Sequence, residues 1–451
     1  MAQLEIARDK AKGEPGVGSF QDSLVSLIPH PVATAFLLTI LIAVAGMAMG
    51  TSFEDVLKGW GQGFIGYYPF VMENLLILLL SFALGSTPAI RNTIGRLADS
   101  LNSQGAAVVA VAVVSILLSF FNWGVGVLGG VCLARETARR AQARGTRFDY
   151  PLLLTSGLAG VVVWESGFSG VVPLYLAEAK QFLVGTTGPL TLNQIVLSPL
   201  NLMVSVALLI SVPLVLWLMR PSSPAVYEPE VEEPEAQGGP MEKSVAAYLE
   251  RSHILSIFFG GLALIYVIRF FAAGKPLDLP NMLFALVALG IFLHGKPMDY
   301  QRDVIAGIKA IWFIALPLMF FCAIQGMMTA AKLNPALSGW LGSFSAVGLP
   351  VVTLVVSTCA NFLVPNAGSQ LLLGGPSIME AAKAVGASYT TVALALAYGA
   401  GLAKLLQLYL FASALGLTDK EVRMGSLARY ASIVFAVAFL VCVIGLVILP
   451  R

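Results

Sequence analysis

Charge is scarce in this sequence. Only 12% of its 451 residues are Asp, Glu, Lys or Arg, about half of the roughly 25% found in soluble domains. A soluble surface cannot be solvated with so few charges, which sets aside soluble enzymes, disordered scaffolds and nucleic-acid binders. No sign of charge dominates either. The 27 basic residues face 25 acidic ones, for a formal net charge of +2, so there is no basic surface for a polyanion. Cysteine is rare: Cys132, Cys322, Cys359 and Cys442 all lie in apolar segments without metal-ligand spacing. They read as buried small hydrophobes. Histidine is rarer still, and His30, His253 and His294 stand at the edges of apolar runs. They are too scattered for a metal site and are expected at the surface. P-loop, dinucleotide fingerprint, zincin motif and nucleophile elbow are all missing, which argues against a nucleotide-driven pump and against an enzyme.

What is abundant is apolar surface, at 57% of residues with a mean hydropathy of +0.83. A spanning helix needs about 20 predominantly apolar residues, because the bilayer offers backbone groups no water. Stretches that meet this requirement run over 32–50, 69–86, 105–121, 150–176, 196–218, 253–273, 279–296, 310–328, 345–361, 388–415 and 427–449. The chain reads as an all-α, polytopic membrane protein. Residues 1–19 are polar and of mixed charge, unlike a cleaved signal peptide, so the first span is expected to be retained. The acidic, proline-containing run Glu228-Pro229-Glu230-Val231-Glu232-Glu233-Pro234-Glu235 marks a solvated linker. The expected organisation is a first repeat over 1–218, a cytoplasmic linker over 219–252, and an extra span plus a second repeat over 253–451.

Two apolar stretches carry helix breakers at membrane depth. One is Ser119-Phe120-Phe121-Asn122-Trp123-Gly124-Val125-Gly126, and the other is Asn361-Phe362-Leu363-Val364-Pro365-Asn366-Ala367-Gly368-Ser369-Gln370. Irregular backbone is tolerated there only where protein buries it or it lines a cavity, so each half is expected to hold a re-entrant hairpin and a broken helix. A shift of 239 positions carries Asn122 onto Asn361, Tyr150 onto Tyr389, Gly160 onto Gly399 and Glu165 onto Lys404. An internal repeat explains this better than coincidence. Arg135, Arg139, Arg140, Arg144 and Arg147 follow the first hairpin, whereas Lys383 alone, opposed by Glu380, follows the second. By the positive-inside rule these loops face opposite sides, which makes the repeats inverted and the N-terminus cytoplasmic.

Inverted repeats with discontinuous helices bind substrate near the midplane, where exposed N–H groups accept anions. The hairpin tips are therefore the candidate site. Asn122 and Asn361 can serve a ligand or merely cap a broken helix. Glu165 and Lys404 lie deep in apolar sequence, where charge is costly and is expected to face a partner in the interior. Lys404 could attract an anion while Glu165 carries a coupling cation or proton. Alternatively the two form a structural ion pair, or Lys404 snorkels to a surface. Glu73 and Arg269 are expected at the interface.

The segments Asn122-Trp123-Gly124-Val125-Gly126, Tyr150-Pro151-Leu152-Leu153, Gly167-Phe168-Ser169-Gly170 and Asn361-Phe362-Leu363-Val364-Pro365 resemble the bacterial short-chain fatty acid transporter family. The likeness extends in order along nearly the whole membrane part and excludes the linker. It implies a carboxylate transporter of the bacterial inner membrane, related to a superfamily with a scaffold domain, often dimeric, and a transport domain that moves as an elevator. The chain departs from the family pattern at the site. Glu165-Ser166 stands where the family has Gly or His then Gly, Asn366-Ala367-Gly368-Ser369 replaces a glycine-rich turn, and Lys404 replaces an Asn, while Gln407 is kept. It is therefore identified as a divergent member.

The expectation is a secondary transporter for a small monocarboxylate, coupled to H⁺ or Na⁺, with no other cofactor and no metal. Candidate substrate-binding residues are Asn122, Trp123, Gly124, Ser166, Ser169, Asn361, Asn366, Gly368, Ser369, Gln370, Lys404 and Gln407. Glu165 and Lys404 form the charge pair. A carrier of a zwitterionic amino acid or of another organic anion, an ion antiporter or a passive channel stay open, as does a homodimer.

Overall fold

In a computed structural model, residues 31–178, 181–222, 224, 244–275, 277–407 and 424–448 are described, and no strand occurs among them. The first half runs α1 (Pro31–Ala48), α2 (Phe53–Gly66), α3 (Tyr68–Gly85), α4 (Pro88–Ser100) and α5 (Gln104–Phe121). A π-helical turn, Gly124–Leu128, then leads into α6 (Gly129–Ala143). There follow α7 (Tyr150–Gly157), α8 (Val161–Trp164), α9 (Val171–Leu176), α10 (Val184–Thr187), α11 (Leu192–Val196) and α12 (Pro199–Leu218). The second half holds α13 (Val245–Glu250), α14 (His253–Ala272), α15 (Leu279–His294), α16 (Pro297–Ala330) and α17 (Leu333–Leu341). It ends with α18 (Gly348–Ala360), α19 (Ala367–Val385), α20 (Tyr389–Leu406) and α21 (Met424–Ile448).

Seven of these helices, α1, α3, α5, α12, α14, α20 and α21, are long and apolar enough to cross a membrane. An eighth span forms if α16 counts as one, its segments Pro297–Ile311 and Ile314–Ala330 being inclined at 53°. Pro317 supplies the cause, since its ring clashes with the carbonyl four residues earlier. Each apolar stretch of the sequence contains helix. The stretch 150–176 is broken into α7, α8 and α9, as expected of a discontinuous span. Its counterpart α20 differs, running unbroken to Leu406, while 408–415 lie outside the described residues. The hairpins are helix–turn–helix units, α5–α6 and α18–α19. Their second arms escape a search for apolar runs because polar residues are spaced along them.

Two further expectations need correction. Cys359 is exposed on α18 and Cys132 half-buried, whereas Cys322 and Cys442 are buried as small hydrophobes are. His294 is buried instead of lying at the surface. Its Nδ1 donates to Gly290 O at 2.6 Å and its Nε2 faces Asp303 Oδ2 at 3.2 Å, which satisfies the ring where α15 turns into α16. The linker region contains one short helix, α13, although residues 225–243, with the acidic run, lie outside the description. His30 is also outside it.

The 239-residue shift reappears in packing. Ser115 Oγ donates to Gly157 O at 2.6 Å, and Ser357 Oγ donates to Leu396 O at 2.8 Å, with acceptors 239 positions apart. A Cβ on Gly160 would stand 2.7 Å from Ser115 O, and one on Gly399 would stand 2.6 Å from Leu354 O. Here both partners shift by 239. Each first hairpin arm is thus pinned to the following helix at a matching depth.

Helices α2 and α16 approach closely through Gly59 and Gly63 on one side and Gly326 on the other. A Cβ on Gly63 would lie 2.8 Å from Gly326 Cα, and one on Gly59 would lie 2.7 Å from Ala330 Cβ. In lipid, association depends on such close packing, and small residues four apart permit it. Gly63→Val should cost about 1–3 kcal/mol through overpacking, seen as a lowered Tm in detergent. Gly61→Ala, which meets nothing within 4 Å, should leave Tm unchanged. Equal shifts for the two variants would contradict this packing.

Candidate functional site

Helix α3 is the bar on which both hairpin tips rest. Asn122 ends α5, and its Oδ1 accepts from the Val125 N–H at 3.1 Å to cap the π-helical turn. Its Nδ2 donates to Ser81 Oγ of α3 at 2.9 Å. Gly124 follows, and any Cβ there would run into Ser81 O. In the second hairpin Asn366 caps α19, its Oδ1 accepting from the Ser369 N–H at 3.0 Å and from Ser369 Oγ at 3.4 Å. The same oxygen accepts from Asn74 Nδ2 of α3 at 3.1 Å. Gly368 is bare where a side chain would strike that Asn74 amide. Asn74 and Ser81 are seven residues apart, so they share one face of α3, about 10 Å apart along its axis. Reading the sequence for breakers and charges missed both. Their signal was two polar residues at a two-turn spacing within a largely apolar helix.

The remaining residues of the second tip are engaged within the protein. Gln370 Oε1, at 2.6 Å, shares the single Ser357 hydroxyl hydrogen with Leu396 O, and Gln370 Nε2 donates to Val364 O at 3.1 Å. Asn361 makes one long bond, Nδ2 to Ala400 O at 3.4 Å.

The break between α8 and α9 lies against the first tip. The Trp123 N–H donates to Ser169 Oγ at 2.8 Å, and the Phe168 N–H donates to Phe120 O at 2.8 Å. The Trp123 indole stacks on Trp164 with centroids 4.8 Å apart, and its buried Nε1 has no hydrogen-bond partner. Ser166 Oγ donates to Val163 O at 3.1 Å. Ser166 O accepts from Asn201 Nδ2 at 2.9 Å, and Tyr398 OH donates to Asn201 Oδ1 at 3.0 Å, tying the loop to α12 and α20.

Glu165 and Lys404 meet across this break. Lys404 Nζ donates to Glu165 Oε1 at 2.7 Å and to Ala400 O at 3.2 Å, and sits 4.5 Å from the centre of the Trp164 ring. The two residues are 2% and 6% exposed, so Lys404 does not snorkel to a surface. Glu165 Oε2 is buried without a partner, as is Nε2 of Gln407, which caps α20. Gly401 allows the approach, since a Cβ there would stand 2.9 Å from Val161 O. Positions related by the 239-residue shift thus touch one another. Among the described residues no group of three or more His, Cys, Asp or Glu could hold a metal ion.

The chain was compared with known proteins. The model of a family described as "Short chain fatty acid transporter" matches residues 17–449. A protein of Escherichia coli (strain K12), named as a candidate short-chain fatty acid transporter, is 28% identical over 382 residues, covering 82% of this chain and 86% of that one. One from Haemophilus influenzae with the same name is 27% identical over 423 residues, covering 90% and 94%. Two solved structures share the fold. The YdaH transporter of Alcanivorax borkumensis aligns with a TM-score of 0.62 at 14% identity, covering 93% of this chain and 98% of that one. Neisseria gonorrhoeae MtrF, reported to illuminate a class of antimetabolite efflux pumps, aligns with a TM-score of 0.62 at 12% identity, covering 95% and 97%. At such identities these two speak to fold alone. The family match over nearly the whole chain, carried by an all-helical body with several spanning helices, decides the matter: the chain belongs to the short chain fatty acid transporter family, and is a multi-pass membrane transporter, not an enzyme.

Proposed function

We propose that this transporter takes up a small monocarboxylate by alternating access, driven by a gradient of H⁺ or Na⁺. The observation that carries the reading is convergence. Both hairpin tips, the broken α7–α9 span and the buried Glu165–Lys404 pair lie within a turn or two of one another in a family of carboxylate transporters. Asn122, Trp123, Gly124, Ser166, Ser169, Asn361, Asn366, Gly368, Ser369, Gln370, Lys404 and Gln407 form the substrate region, with Glu165 bearing the coupling ion. The matching contacts at a 239-residue shift support two repeats, and the arginine-rich loop after the first hairpin supports their inversion. On that reading the repeats span 1–218 and 253–451 with a cytoplasmic linker between, and the N-terminus is cytoplasmic in a bacterial inner membrane. On the same reading the hairpin-bearing helices move as an elevator against a scaffold that pairs in a homodimer. A second reading, carriage of a zwitterionic amino acid, draws on the open Glu165 oxygen beside an ammonium. Competition between butyrate and amino acids separates the two.

Purified protein in liposomes should accumulate a labelled C2–C6 carboxylate under an imposed H⁺ or Na⁺ gradient, with saturation at low concentration. Flux without accumulation or saturation would make it a channel. Asn361 has hydrogen-bonding capacity to spare, so Asn361→Ala should raise KM roughly tenfold or more with little change in Tm. An unchanged KM removes it from the site. Single cysteines placed beside Arg139 and Lys383 should react with an impermeant thiol reagent from opposite faces, and labelling from one face would refute the inversion.

A further inference from the structure

The ammonium of Lys404 is enclosed by partners. It carries three N–H groups; one is given to Glu165 Oε1 at 2.7 Å and one to Ala400 O at 3.2 Å, while the Trp164 ring lies against the nitrogen. Lys404 is 6% exposed and already paired, so a substrate carboxylate that takes it as counter-ion competes with the partners it has. Glu165 is the partner it matches in charge, functional group and bonding geometry. Exchange with the neutral Ala400 carbonyl would instead place two carboxylates on one ammonium.

Among the described residues of the elements packed against α8, a displaced Glu165 finds no cation other than Lys404. Glu165 is 2% exposed, and its Oε2 already lacks a hydrogen-bond partner. On α5, α12 and α20, which pack against α8, the titratable residues are Tyr389, Tyr398 and Lys404. The Tyr398 hydroxyl is held by Asn201, and Tyr389 opens the far end of α20. A carboxylate left unpaired in such surroundings is neutralised by a proton sooner than it stays charged.

We infer that substrate and Glu165 exchange places on Lys404, and that Glu165 takes up the coupling proton as it is displaced. The proton comes from the side that delivers the substrate and forms the O–H of a neutral Glu165. On the other side that O–H bond breaks, the proton passes to water, Glu165 recaptures Lys404, and the substrate leaves as its anion. The empty site holds Glu165⁻ and Lys404⁺; the loaded site holds neutral Glu165, Lys404⁺ and the substrate carboxylate. Both are neutral overall, so transport is electroneutral with one H⁺ per carboxylate. This rests on the monocarboxylate reading above and narrows its coupling ion to the proton.

The test uses the full chain with butyrate as the probe. In wild-type protein the apparent Kd should rise about tenfold per pH unit above neutrality, the signature of one proton taken up on binding. In liposomes a luminal pH dye should record one proton per labelled butyrate, and clamping the membrane potential should not alter uptake. Glu165→Gln removes competitor and proton carrier together. Butyrate should then bind at least tenfold tighter, with a pH-independent Kd, and exchange should persist while gradient-driven accumulation is lost. Lys404→Met should abolish butyrate binding. The inference is overturned by a pH-independent Kd in the wild type, by accumulation under a Na⁺ gradient at equal pH, or by potential-dependent uptake. The wild-type pH series decides even where a variant fails to fold. Failure of the carboxylate reading looks different: no butyrate binding at any pH, which rejects both.

Discussion

Inside a bilayer no water is available to satisfy a backbone or side-chain polar group, and the site is arranged around that constraint. Where the helices break, at Asn122, at Asn366 and after Trp164, hydrogen bonds from other elements hold the broken backbone in place. Asn122 and Asn366 satisfy their own turns through Oδ1 and engage α3 as well. The loop after Glu165 is held by Phe120, Trp123 and Asn201. These bonds make the breaks tolerable, and they also bring the polar groups of the two halves to one place.

The same constraint governs the charges. Glu165 and Lys404 neutralise each other at 2.7 Å, and the Trp164 face and the Ala400 carbonyl complete the surroundings of the ammonium. Two buried ions tolerate this only while paired, because removing one leaves an uncompensated charge in low dielectric. A pair that cannot be separated without replacement suits a carrier, in which a ligand of like charge is the natural replacement.

Close backbone approach is the third element. Without water to drive helices together, contact surface must do so. Gly63 against Gly326 joins α2 to α16, Gly124 against Ser81 seats the first tip on α3, and Gly160 and Gly399 admit the hairpin arms at matching depths.

The sequence by itself determined the membrane class, the positions of the apolar spans, the two Asn-centred breaks and the pairing register of 239, because each depends on local composition or on spacing along the chain. Glu165 and Lys404 stood out for the same reason: charge in an apolar run is visible without a fold. The amphipathic helices α2, α4, α6 and α19 left no apolar run to find, and His294 looked like an edge residue because its partner Asp303 lies on the next helix. Only the tertiary structure decided that Asn74 and Ser81 meet the two tips, that Lys404 spends its donors on Glu165 and Ala400, and that one Glu165 oxygen is left open. Those facts depend on contacts between residues 41, 292 and 239 positions apart, and such contacts leave no local trace in a sequence.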